Sequence, residues 1–205
     1  MIRLGVLGST RGSDLVPIIK AIKSGRLCAS IEVIISNEKN SLILKKAERY
    51  KIPRAFIEHK GKERAVFDRE IDKKLSEKKV DLVLLIGFMR ILSKEFVSAW
   101  EGQIINVHPS LLPKYAGGMN NDVHRDVLKA KDKETGCTIH LVTSEVDRGP
   151  IIVQKKCAVL EADTIDSLKE RVQSLEGVAF IEAINKMRGI LKNENEPKNG
   201  LGVCV

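Results

Sequence analysis

The chain has 205 residues, 43% of them apolar and 30% charged, and a formal net charge of +8. No stretch reaches the ~18 apolar residues of a membrane helix, and Met1-Ile2-Arg3-Leu4-Gly5 opens on an apolar run rather than on the charged lead and cleavage site of a secretory leader. Aromatic residues make up 4%, and basic residues are interspersed with acidic ones, as in Lys60-Gly61-Lys62-Glu63-Arg64; this weighs against a base-stacking nucleic-acid surface and favours steering of a phosphorylated small molecule.

In chain order, Ile2 to Leu7 ends in Gly8 and reads as a buried strand. Ser13 or Asp14 can cap a helix whose apolar face is Leu15, Ile18, Ile19 and Ile22. Ile31 to Ile35 is a second strand, Leu42 to Tyr50 a helix, and Pro53 to Ile57 a short strand. Phe67, Ile71 and Leu75 mark a third helix, and Val80 to Ile86 and Ile104 to Val107 are apolar strands. Strands alternating with helices in units of roughly 30 residues predict an α/β fold, a Rossmann-like, mostly parallel sheet with helices on both faces. After Pro113 the pattern changes. Thr138 to Val142 and Ile151 to Val159 have only a short connection, which predicts an antiparallel C-terminal annex. Ile165, Leu168, Val172, Leu175 and Ala179 lie on a long final helix capped near Asp163 or Thr164, and the polar tail from about 193 to 205 is expected to fray. The length fits one domain over 1–205. Cys28, Cys137, Cys157 and Cys204 form no C-x-x-C pair and fit reduced thiols in the cytoplasm.

Two constellations carry chemistry. Gly8-Ser9-Thr10-Arg11-Gly12-Ser13-Asp14 joins the first strand to the first helix. Its glycines let backbone approach a ligand, and the free N–H groups of a helix start favour a phosphate. It is neither the Walker lysine motif nor the full dinucleotide pattern, and a plain turn remains the alternative reading. In Asn106-Val107-His108-Pro109 the alternation of a strand sends Asn106 and His108 to one side at its C-terminal end, the ligand edge of a parallel sheet. Asp147, between the last two expected strands, is placed to fold back and orient the imidazole. Such a trio suits acyl transfer to an amine: an amide donor for the oxyanion, an imidazole for proton transfer and a carboxylate behind it. A structural histidine and a turn-making aspartate are the bland alternatives. His59, His124 and His140 are too scattered for a metal site, and none is expected.

Gly87-Phe88-Met89-Arg90-Ile91-Leu92-Ser93, Asn106 to Tyr115, and Asp147-Arg148-Gly149-Pro150 together resemble the folate-dependent formyltransferases. The resemblance runs from the Gly8–Asp14 loop to the C-terminal helix. It implies an enzyme of de novo purine synthesis that moves the formyl group of 10-formyltetrahydrofolate to the amine of 5'-phosphoribosylglycinamide, as a monomer or homodimer. On that basis Asn106, His108 and Asp147 are the catalytic trio, Gly12, Ser13 and Asp14 hold the substrate phosphate, and Glu176 meets the ribose hydroxyls. Arg64, Met89, Arg90, Ile91, Leu92, Asn106 and Val146 are then the folate-binding positions. Two features depart from the family pattern: Arg11 or Asp14 stands where asparagine is usual, and the loop Ala116 to Asp122, read as a lid, lacks one histidine. The rivals are a formyltetrahydrofolate hydrolase, a formyltransferase acting on initiator tRNA and a non-catalytic nucleotide-binding module. The first two are expected to carry an extra domain that this chain lacks.

Overall fold

Side-chain alternation builds a sheet with two covered faces. In the computed structural model, which describes residues 1–118 and 121–195, seven strands form one sheet in the order β3-β2-β1-β4-β5-β6-β7. The strands are β1 (Ile2–Leu7), β2 (Ala29–Ser36), β3 (Arg54–Phe56), β4 (Leu82–Leu85), β5 (Ile104–His108), β6 (Glu134–Leu141) and β7 (Ile151–Ala158). β1 to β5 run parallel, while β5–β6 and β6–β7 pair antiparallel, so both the parallel sheet and its annex match the sequence expectation. The helices are α1 (Leu15–Lys23), α2 (Leu42–Arg49), α3 (Arg64–Glu77), α4 (Lys94–Ala99), α5 (Asn121–Lys129) and α6 (Ile165–Asn195).

Leu82 and Leu84 pack with residues of α1, α2 and α6, whereas Val83 and Leu85 pack with residues of α3 and α4. Adjacent residues of one strand thus enter two different cores, as the period of two requires. A continuous apolar run marks such a doubly covered strand, and each fully buried Leu or Val in it contributes roughly 1.5–3 kcal/mol.

Several local expectations are corrected. β6 begins at Glu134, not Thr138, because Gly136 lets β7 come close: a Cβ there would lie 1.8 Å from the Lys155 carbonyl oxygen. α4 and α5 were not anticipated. α4 is short and is started by Ser93, whose hydroxyl accepts from the Phe96 N–H at 3.2 Å. Asp14 stands at the N-cap of α1, but its side chain makes no capping bond. At the start of α6 the cap forms as expected, with the Ser167 N–H donating to the Thr164 hydroxyl at 3.2 Å. The tail expected to fray falls outside the described residues from 196 onward, as do Met119 and Asn120 of the expected lid.

Candidate active site

Three chain segments meet beyond the C-terminal ends of β1, β4 and β5, where a parallel sheet opens its crevice. The first is the 8–14 loop. Gly12 has φ +58°, and a Cβ added to it would lie 2.5 Å from Ile43, so the turn requires glycine twice over. Lys46 on α2 ties the turn down, its Nζ donating to the carbonyls of Arg11 at 2.7 Å and Gly12 at 2.9 Å. Ser13 is exposed at the mouth of the loop, and Asp14 is buried beneath it.

The second segment is the 87–93 loop. It lies directly against the first: the Ser9 N–H donates to the Gly87 carbonyl at 3.0 Å, and the Met89 N–H donates to the Ser9 hydroxyl at 2.8 Å. Ser9 in turn donates to Asn37 at 2.6 Å. Gly87 has φ +59°, and a Cβ there would strike the Thr10 hydroxyl at 2.4 Å. The far end of the loop is fixed by buried Asp68 of α3, which accepts from the Ser93 N–H at 2.5 Å. Met89 and Ile91 expose their side chains, Leu92 is buried, and the Arg90 guanidinium lies 4.9 Å from the Phe67 ring centre. The buried Nε of Arg90 has no hydrogen-bond partner among the described residues. Arg64 opens α3 and is exposed; among the described residues no hydrogen bond or ion pair joins it to this loop. Val146 is half exposed, next to Asp147.

The third segment is the tip of β5. Asp147 Oδ2 lies 3.1 Å from His108 Nδ1, and its Oδ1 lies 3.5 Å from His140 Nε2. Asn106 and His140 are cross-strand neighbours, and Asn106 Nδ2 lies 3.2 Å from His140 Nε2. His140 Nδ1 faces the Leu141 carbonyl at 2.9 Å, so that nitrogen carries hydrogen. Asp147 reaches this place because the β6–β7 loop folds tightly: a Cβ at Gly149 would lie 1.8 Å from the Leu141 carbonyl oxygen. Asp147 itself has φ +54°, an uncommon conformation for a residue with a side chain.

A fourth contact covers this cluster. His108 Nε2 lies 2.9 Å from the Tyr115 carbonyl, and the Gly117 N–H donates to Asp147 Oδ2 at 2.8 Å. Both ring nitrogens of His108 therefore face acceptors, an arrangement met in full when both carry hydrogen. Tyr115, with φ +62°, is braced by its hydroxyl, which donates to Asp132 at 2.9 Å. Burial alone would raise the Asp147 pKa; the His108 and His140 rings and the Gly117 N–H outweigh it and hold the carboxylate well below its ordinary range. Buried His124 of α5 behaves oppositely: burial first, then Lys169 and His108, lowers it to about 4.

Asp14 and Glu176 also come together. Both are buried and their carboxyls hydrogen-bond one another. Sequence reading alone takes Glu176 for a solvated helix face; it is 6% exposed. Spacing gives His140 no place in a metal site, and its involvement here follows only from the β5–β6 register, which no local motif announces. Among the described residues no group of three or more His, Cys, Asp or Glu is placed to hold a metal ion, and no helix is long and apolar enough to cross a membrane.

A family model described as formyl transferase matches residues 2–184. The trifunctional purine biosynthetic protein adenosine-3 of Gallus gallus is 43% identical over 184 residues, 89% of this chain and 18% of that protein. The chain thus spans 13–18% of the length of the trifunctional relatives it matches. Phosphoribosylglycinamide formyltransferase of Escherichia coli is 39% identical over 176 residues, 85% of this chain and 82% of its own. Glycinamide ribonucleotide transformylase 1 of Symbiobacterium toebii superposes with a TM-score of 0.87 at 36% identity, covering 92% of this chain and 89% of that one. With the match extending over nearly the whole of the described fold, the chain belongs to the formyl transferase family.

Proposed function

We propose that the protein transfers the formyl group of 10-formyltetrahydrofolate to the amine of 5'-phosphoribosylglycinamide, a step of purine synthesis, in the cytoplasm. The observation that carries this reading is the chain Asn106–His140–Asp147–His108 at the tip of β5, flanked by an anion-accepting loop and by the 87–93 loop. The names of the family relatives support the choice of substrates, and the three unbridged cysteines Cys28, Cys137 and Cys157 agree with a reducing compartment.

In this reading the phosphate sits on the backbone N–H groups of Gly12, Ser13 and Asp14 at the start of α1. Glu176 receives the ribose hydroxyls. Met89, Arg90, Ile91, Leu92, Val146 and Arg64 line the folate side, where backbone groups read the pterin edge. The amine lone pair attacks the formyl carbon, and the carbonyl electrons move to oxygen. Asn106 offers that oxygen an amide hydrogen beyond the one directed at His140, and His108 offers its Nε2 hydrogen. The formyl oxygen then takes the place held by the Tyr115 carbonyl. Asp147 keeps the His108 ring oriented. The intermediate collapses as the bond from carbon to folate N10 breaks; N10 gains a proton and the former amine loses one. Two hydrogen-bond donors answer the developing charge, and in this reading the reaction requires no Lewis acid. A glycine-like amine, with a pKa of roughly 8, is about one-tenth free base at pH 7 and requires little activation.

The test is to mix the protein with 10-formyltetrahydrofolate and 5'-phosphoribosylglycinamide and quantify both products. Equal amounts of deformylated folate and formylated ribonucleotide are expected. Loss of the formyl group without the acceptor points instead to hydrolysis, and no loss in either case removes the reading.

A further inference from the structure

Asp14 differs from the surrounding anion site in one respect: it brings a negative charge to a place built for one. Its side chain points inward, away from the capping position, and hydrogen-bonds Glu176 of α6. The approach of the two helices makes this contact possible. Gly177, next to Glu176, lies so close to α1 that a Cβ would meet Pro17 at 2.7 Å. The Asp14 and Glu176 residues are 3% and 6% exposed. Two buried carboxyls in hydrogen-bond contact require a hydrogen between them, because two carboxylates offer only acceptors and repel at short range.

The groups facing the pair do not replace that hydrogen. Lys46 of α2 acts on Asp14 from a distance while its ammonium is spent on the Arg11 and Gly12 carbonyls, and the Ser13 hydroxyl also bonds Asp14. Lys169, on the same helix as Glu176, acts on it electrostatically. Cys137 of β6 faces both carboxyls, and burial, then their charge, pushes its thiol up to about 12, so it stays neutral. Burial raises both acids, and the charge of Asp14 raises Glu176 further, so the pair holds on to a hydrogen.

We propose that Asp14 and Glu176 share one proton and that binding of a ribose phosphate at the 8–14 loop requires this proton to be retained, which makes Asp14 a specificity-determining residue of the anion site. The inference rests on the reading of that loop as the phosphate site. Loss of the proton sets a second negative charge directly beneath the loop whose N–H groups hold the phosphate. It also turns Glu176 from a mixed donor and acceptor into an acceptor alone for the ribose hydroxyls. The ligand therefore raises the proton affinity of the pair, and by linkage the proton raises the affinity for ligand.

Ribose 5-phosphate is the suitable probe, because it lacks the amine that titrates in the same range and its phosphate ionises at a pKa near ~6. Calorimetric titration of the full chain between pH 7 and pH 9.5 should show the dissociation constant rising by up to about tenfold per pH unit once the pair loses its proton. Asp14→Asn, which keeps the backbone N–H and removes the second acid, should flatten that dependence. Carbon-13 carboxyl resonances of the ligand-free protein give a reading independent of any substrate: Asp14 and Glu176 should titrate as a linked pair, the last proton leaving above neutral pH. Independent titration of both in the ordinary carboxyl range overturns the proposal. So does an unchanged pH dependence in Asp14→Asn, or failure of ribose 5-phosphate to bind at every pH. Absence of formyl transfer with the linked titration intact instead removes the catalytic reading and leaves the proton pair standing.

Discussion

Two acid sites flank the crevice, and although burial pushes the carboxyls of both upward, their net shifts have opposite signs. At the tip of β5, Asp147 is surrounded by donors, and its pKa is driven far down. At the start of α1, Asp14 meets another carboxyl, and both acids are raised. Desolvation penalises the charged form in both places. What decides the sign is whether the neighbours outweigh burial: around Asp147 the two imidazoles and an N–H do, whereas around Asp14 the contacts with Glu176, Lys46 and Ser13 do not. One site is thereby set to hold a permanent negative charge, the other to hold a proton.

The contrast can be broken most forcefully at His108. His108→Ala should lower turnover by roughly 10²–10⁴ while ligand binding persists, read by single-turnover formyl transfer beside a binding titration; wild-type turnover would remove the imidazole from the chemistry. Asp147→Asn comes next. The wild-type pKa lies below the unfolded value of about 3.9, so this carboxylate contributes stability above about pH 4 and loses that contribution as pH falls through its folded value. The variant should be about 2 kcal/mol less stable at pH 7, and the gap should narrow by pH 2.5. A gap independent of pH would mean that packing, and not charge, holds Asp147. Gly12→Ala should destabilise the protein by a similar or smaller amount, about 1–2 kcal/mol, because its Cβ meets Ile43 at 2.5 Å in a φ +58° turn. It should also raise the KM for the ribonucleotide more than that for folate. An unchanged ribonucleotide KM would move the phosphate elsewhere.

The smallest effect concerns the opposite sign. The folded pKa values of Asp14 and Glu176 lie above the unfolded ones, so the pair is best tolerated below about pH 4, and stability is lost as pH rises through the folded values. Asp14→Asn should therefore gain on the order of 1 kcal/mol relative to wild type between pH 5 and pH 9, measured by thermal unfolding at both values. A constant difference would show that the carboxyls do not share a proton in the ligand-free protein.

The amino-acid sequence by itself determined the doubly covered parallel sheet, because continuous apolar runs such as Leu82 to Leu85 admit few other arrangements. It also determined the placement of Asn106 and His108 on one side of a strand tip, since alternation is a local property of the backbone. Only the tertiary structure decided that His140 joins them, that the Tyr115 carbonyl occupies the second nitrogen of His108, and that Glu176 is buried against Asp14. Those three facts depend on an antiparallel register, on a loop crossing the sheet edge and on two helices meeting at Gly177. Each is a contact between residues far apart along the chain, and neither residue type nor spacing carries information about which distant surface will cover it.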